Sequence, residues 1–188
     1  HRRLQMDEAL HLGTFLVGAC IRLLRHDLVH GDIKPENVLI GSAYDSVFFK
    51  LIDLGSSCEV FSHTSRAGTA SYLAPERFTN APISERTEIF SIGVTLYQAL
   101  TGQLPFGAIE RFQTPVFRDP KAPSAINALI PPWLDAITLR ACAIQPERRY
   151  QHFSELSFDL SNPQKVRPWH SEHAPFIARN PVLFWKIA

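Results

Sequence analysis

Three residues in the run Val29-His-Gly-Asp-Ile-Lys-Pro-Glu-Asn-Val-Leu-Ile40 could share one piece of chemistry: Asp32, Lys34 and Asn37. A fourth, Asp53, follows in Leu51-Ile-Asp-Leu-Gly55. Transfer of a phosphoryl group needs little covalent help from a protein. It needs a carboxylate to orient the attacking hydroxyl, positive charge beside the moving phosphate, and hard oxygen ligands for a divalent cation. Asp32 suits the first role, Lys34 the second, and the Asn37 side-chain carbonyl with the Asp53 carboxylate the third. Each residue alone has a plainer reading. An Asp in a Gly-containing turn is usually a cap, a Lys is usually a solvated charge, and an Asn often just completes a turn. The set, in this order, is what favours chemistry.

The elements around these residues should bring them together. Leu10, Phe15, Leu16, Ala19, Leu23 and Leu24 recur at helical spacing, which predicts a helix from Asp7, as N-cap, to about Asp27. The apolar runs Asn37 to Ile40 and Val47 to Ile52, with Gly41-Ser-Ala-Tyr-Asp45 between them, read as a hairpin. Asp32, Lys34 and Asn37 thus occupy a loop between helix and hairpin, and Asp53 ends the second strand. Residues 53 to 82 are rich in Ser, Thr, Gly and Pro and keep no period. A long polar loop inside a compact domain is usually functional. A second helix is predicted from Ser84 to Leu100, apolar almost all round and therefore buried, and ended by Gly102. Residues 132 to 144 and 153 to 160 suggest two more. From Pro163 the chain is Pro-rich and irregular.

Composition narrows the class. The 188 residues are 45% hydrophobic and 20% charged with a net charge of +1, as in a folded globular protein. No basic stripe points to nucleic acid as a partner. Cys20, Cys58 and Cys142 lie far apart without a CxxC pair, so free thiols are expected rather than disulfides or a zinc site. No run of 18 apolar residues could span a bilayer, and the segment Pro181 to Ala188 turns apolar as the sequence ends. The sequence starts at His1, which is expected to reflect truncation.

The catalytic run and the Asp53 segment resemble the catalytic and magnesium-binding loops of protein kinases. The resemblance continues in order through Gly68-Thr-Ala-Ser-Tyr-Leu-Ala-Pro-Glu76, similar to the end of the activation segment. Ser84 to Phe106 resembles the buried central helix, and Pro146-Glu-Arg-Arg-Tyr150 resembles the late arginine motif. It covers residues 7 to 160. It implies Asp32 as catalytic base, Lys34 as the phosphate-contacting lysine of serine/threonine kinases, and Asn37 and Asp53 as magnesium ligands, with Lys34, Asn37 and Asp53 meeting the nucleotide. Thr69 would help form the pocket for the residue after the phosphoacceptor. Thr64 and Ser65 would be candidate autophosphorylation sites. Glu76 and Arg148 would form a structural ion pair. ATP and Mg2+ are the implied cofactors, and a protein bearing an acceptor Ser or Thr is the implied partner.

The fold implied is mainly α with a small β-hairpin: residues 1–162 as the C-lobe of the kinase fold, without its N-lobe, and 163–188 as a tail. The Gly-rich loop, strand lysine and partner glutamate of kinases are not in this sequence, so the fragment is expected to be inactive without an N-lobe. The short activation segment resembles bacterial kinases, and the tail resembles that of fused phosphatase/kinase proteins, which often continue into a membrane helix. The location expected is cytoplasmic, or membrane-anchored if such a helix follows residue 188. Three residues depart from the family pattern. Gly31 stands where most kinases have Arg, Leu54 replaces Phe, and Glu88 replaces the Asp that holds the catalytic-loop backbone. Two alternatives remain. His30-Gly-Asp32 with Asn37 also resembles aminoglycoside and choline kinases, although Lys34, the Ala74-Pro-Glu76 block and the Glu76–Arg148 match favour a protein substrate. A non-catalytic pseudokinase or interaction module is the other, supported by Glu88 and the missing N-lobe and opposed by Asp32, Asn37 and Asp53.

Overall fold

The structure is a computed structural model and describes residues 4–43, 46–62, 68–110 and 112–170. The first helix, α1 (Met6–Leu24), begins earlier than expected: Gln5, not Asp7, is its N-cap. The reason is a capping box in which the Glu8 carboxylate reaches back to accept from the Gln5 amide at 2.8 Å. Its buried stripe of Leu12, Leu16, Val17 and Cys20 faces the core. The helix stops at Leu24, and Asp27, at φ +55, turns the chain into a short strand, β1 (Leu28–Val29).

The hairpin forms as predicted from β2 (Val38–Ala43) and β3 (Ser46–Leu51), paired antiparallel with Val38 opposite Leu51. A second, two-residue ladder joins β1 to β4 (Cys58–Glu59), which the sequence reading missed. That ladder staples the segment after Asp53 to the entry of the catalytic run. A 3-10 turn at Leu54–Ser56 precedes β4, and between β4 and the next helix the described residues hold two more, at Ala70–Tyr72 and Pro75–Thr79.

The central helix α2 (Glu85–Thr101) starts on a Ser84–Thr87 capping box and ends on Gly102 at φ +74. Ile89, Phe90, Ile92, Val94, Leu96 and Leu100 are each at most 1% exposed, so the helix is buried all round as its pattern requires. Gly93 allows the closest approach: a Cβ there would lie within 3.0 Å of Ala141 and Cys142. Those two residues end α3 (Pro132–Ala141), and α4 (Phe153–Ser161) closes the core with Phe153, Leu156 and Leu160. Residues 103–110 and 112–131 hold no helix or strand apart from the 3-10 turn at Pro123–Ala125. They are pinned by Phe106, stacked on Phe90 at 5.5 Å, and by Phe117 against Phe78 at 5.8 Å. No helix among the described residues is long and apolar enough to cross a membrane.

Candidate active site

The catalytic run leaves β1 as a buried loop, His30-Gly31-Asp32, laid over the first turns of α2. Gly31 has φ +82, and a Cβ there would run into the Ser56 carbonyl oxygen. This is the physical reason that position 31 carries no side chain here. The Glu88 carboxylate accepts from the His30 amide at 2.8 Å and the Gly31 amide at 3.1 Å. The longer side chain at this position therefore still holds the loop backbone.

Asp32, 9% exposed, is the hub. Its Oδ2 accepts from Lys34 Nζ at 2.6 Å and Asn37 Nδ2 at 3.1 Å, while Oδ1 accepts from the Thr69 amide at 2.8 Å. Lys34 Nζ also donates to Thr69 Oγ1 at 2.6 Å, which closes a ring of polar contacts between the catalytic run and the end of the long loop. Gly68 permits this approach: at φ +102, a Cβ would lie 2.6 Å from the Gly31 carbonyl oxygen. Burial pushes the Asp32 carboxyl up, but hydrogen bonds and charge from Lys34 and Thr69 outweigh it, and the net direction is down. Asp32 is therefore an ionised acceptor near neutral pH.

Asn37 Nδ2 also donates to the Asp32 carbonyl at 2.8 Å, so its amide nitrogen is committed to the loop and its carbonyl oxygen is the group that remains. The Ile52 amide donates to the Asn37 backbone carbonyl at 2.9 Å, tying the end of the hairpin to the catalytic run. His30 completes the tie. Its Nδ1 accepts from the Asp32 amide at 3.3 Å, so Nε2 carries the proton and donates to the Ile52 carbonyl at 3.1 Å. Burial lowers the His30 pKa and keeps the ring neutral. Asp53 sits just beyond, exposed and left-handed at φ 65, with Oδ1 accepting from the Gly55 amide at 3.1 Å. A side-chain carbonyl and an exposed carboxylate are hard oxygen donors. They fit Mg2+, which usually takes one or two protein ligands and completes its shell with phosphate and water.

The expected Glu76–Arg148 pair is corrected. Glu76 pairs with the neighbouring Arg149, Oε1 to Nη1 at 2.7 Å and Oε2 to Nη2 at 2.8 Å. The 3-10 turn Pro146–Arg148 ends as Arg149 becomes extended at φ −77, ψ 179, so the two side chains leave from different backbone conformations. Arg149 goes inward at 1% exposure, over the Phe90 ring at 4.8 Å. Arg148 donates instead to the His170 carbonyl at 2.9 Å and lies over Trp169. Thr64 and Ser65, and the tail from residue 171, lie outside the described residues.

Residues 1–151 match the protein kinase domain. The chain belongs to the protein kinase family. It is 35% identical over 145 residues to the serine/threonine-protein kinase PknB of Mycolicibacterium smegmatis, covering 72% of this chain and 23% of that protein. A probable serine/threonine-protein kinase of Clostridium acetobutylicum is 31% identical over 172 residues, 85% of this chain and 25% of the relative. The chain thus spans about a quarter of the length of these curated relatives. Among solved structures, the kinase PK-1 of the Cydia pomonella granulovirus superposes with a TM-score of 0.71, over 82% of this chain and 58% of that one. At 21% identity that likeness establishes the kinase fold alone. The site residues that sequence reasoning missed are Arg149, hidden beside an identical neighbour, and His30, whose ring bonds no periodicity could announce.

Proposed function

We propose that this chain is the C-lobe of a bacterial-type protein serine/threonine kinase, transferring the γ-phosphoryl group of ATP to a Ser or Thr hydroxyl. The observation that carries this reading is the closed contact among Asp32, Lys34 and Thr69. A hydroxyl brought to Asp32 meets an ionised acceptor for its proton, and the Lys34 ammonium lies 2.6 Å from the same carboxylate. The acceptor oxygen bonds to the γ-phosphorus as the bond to the bridging oxygen breaks, the proton passes to Asp32, and ADP leaves. Lys34 offsets charge as it spreads onto the phosphoryl oxygens. Asn37 and Asp53 would hold Mg2+, which when bound neutralises phosphate charge. Thr69 would position the acceptor segment.

The outer face of the hairpin supports a nucleotide platform closed by an N-lobe. Leu39 and Phe48 share that face at 51% exposure each. A Gly-rich loop and strand lysine from that lobe would complete the grip on ATP. The reading is tested in the full-length protein by radiolabelled phosphate transfer to a generic basic protein. Asp32→Asn keeps the shape and removes the charge, so turnover should fall about 10²–10⁴-fold, with nucleotide binding by calorimetry nearly unchanged. Full activity in that variant would sink the mechanism. Transfer to small amino alcohols, and to no protein, would favour the small-molecule phosphotransferase.

A further inference from the structure

After α4 the chain does not go on as helix: Pro163 opens a 3-10 turn, Pro163–Lys165, and Pro168 follows shortly after it. The segment is anchored twice. Val166 packs against the main core, and Arg148 Nη2 donates to the His170 carbonyl at 2.9 Å. Between these anchors Lys165, Arg167 and Trp169 form one side of a cavity of about 500 Å³. Its floor comes from α3 and α4: Arg140 on the first, Phe158 and Asp159 on the second, with Tyr150 beside them. No residue of the catalytic run or of its magnesium ligands lines it.

The charges around this cavity do not balance. Arg140 pairs with Glu155 at 3.0 Å and with Asp159 at 3.8 Å, and its guanidinium lies over the Tyr150 ring at 4.0 Å. The Tyr150 hydroxyl donates to Asp159 at 2.8 Å. These four groups satisfy one another and make a fixed polar floor. Lys165 and Arg167 have no carboxylate partner among the described residues. The Lys165 ammonium lies 5.2 Å over the Phe158 ring, which is itself 50% exposed, and Trp169 is half-buried alongside. A cation resting on a ring is already partly ordered, so less freedom is lost when an anion meets it. Two uncompensated cations call for two negative charges, which a phosphate monoester carries near neutral pH. The planar Arg fork takes two of its oxygens at once. The exposed aromatic surface calls for an apolar body on the same molecule, and the volume suits a small ligand. We propose that this cavity binds a phosphate monoester of an aromatic group, its phosphate at Lys165 and Arg167 and its ring against Phe158 and Trp169.

The site does not rest on the kinase reading, and its test does not use phosphate transfer. In the full-length protein, the Trp169 indole N–H resonance, assigned by its loss in Trp169→Phe, is followed while phenyl phosphate is added. It should shift to saturation at a single site. Lys165→Ala and Arg167→Ala should each weaken binding about tenfold, as expected for one charge-assisted hydrogen bond, and the double variant about 100-fold. Both side chains are exposed, so urea unfolding midpoints should stay at the wild-type value. Inorganic phosphate should bind about tenfold more weakly than phenyl phosphate, since it lacks the ring, and benzyl alcohol, which lacks the charge, should give no saturable shift. AMP and O-phosphotyrosine amide separate the two sources of this chemistry, a free nucleotide and a phosphorylated side chain; the tighter of them names the source, and the double variant should lose both. Absence of a saturable shift, or unchanged affinity in the double variant, overturns the site. Equal affinity for phenyl phosphate and inorganic phosphate overturns its aromatic half, and equal affinity for phenyl phosphate and benzyl alcohol overturns its anionic half.

Discussion

Removing the Arg149 side chain should cost this fold far more than removing that of Arg148, although the two are adjacent and identical. Arg149 places all five of its N–H donors. Nε reaches the Ala143 carbonyl at 2.7 Å, Nη1 reaches Glu76 and the Arg86 carbonyl at 3.0 Å, and Nη2 reaches Glu76 and the Ile144 carbonyl at 3.0 Å. One side chain thereby ties the turn at Pro75–Thr79, the start of α2 and the segment after α3. Truncation leaves a largely buried carboxylate and three carbonyls to find new partners. Breaking a buried pair at one partner typically costs about 3–5 kcal/mol. For a protein of this size that corresponds to a fall in Tm of about 6–20 °C. Arg148, on the rim, should cost at most about 1 kcal/mol when replaced by Ala.

The assay is urea unfolding followed by circular dichroism for Arg149→Met, Arg148→Met and Glu76→Gln, with the Arg149→Met/Glu76→Gln double variant closing the cycle. The double variant should lose less than the two single losses together, by about 1–3 kcal/mol, because the second change no longer strands a charge. Equal losses at 148 and 149, or additive losses in the cycle, would refute the reasoning.

Gly31→Ala should destabilise by about 1–3 kcal/mol, since φ +82 and the Ser56 carbonyl both oppose a side chain; unfolding at neutral pH measures it, and a neutral result would show that the loop relaxes. Thr64→Ala with Ser65→Ala should leave turnover of the full-length protein within a factor of about 3, because Gly31 offers no guanidinium to a phosphorylated loop; loss of activity would show another receptor for that phosphate. Glu88 should make the protein less stable as pH rises from about 4.5 to about 7, because across that window the folded state holds the proton and the unfolded chain does not. The full effect is about 3 kcal/mol, read as the difference between wild type and Glu88→Gln in unfolding free energy against pH; parallel curves would exclude it.

The helices and the hairpin were legible because periodicity and caps report burial directly. Ser84, Gly102 and the apolar circumference of α2 placed that helix within a residue at either end. The catalytic cluster was legible through its motif, yet its connectivity was not. Nothing in the spacing of Asp32 and Thr69 says that an amide from one loop meets a carboxylate from another, since that contact depends on two glycine backbones passing at close range. The start of α1 was misplaced because Gln is a weak cap signal and the reciprocal Glu8 bond decided the matter. Arg148 closes the Pro146–Arg148 turn and Arg149 leaves it extended, a change of backbone between two identical neighbours that the sequence does not mark.

Glu88 shows why a buried carboxylate can persist where an apolar residue would pack at lower cost. Two loop amides have been taken out of water by the approach of Gly31 to Ser56, and an aliphatic side chain at position 88 would leave both without an acceptor. The carboxylate satisfies them but brings its own desolvation, seen in its raised affinity for a proton. Protonation relieves the buried charge, so acidification through this titration favours the folded state as a whole, against the direction of general acid unfolding.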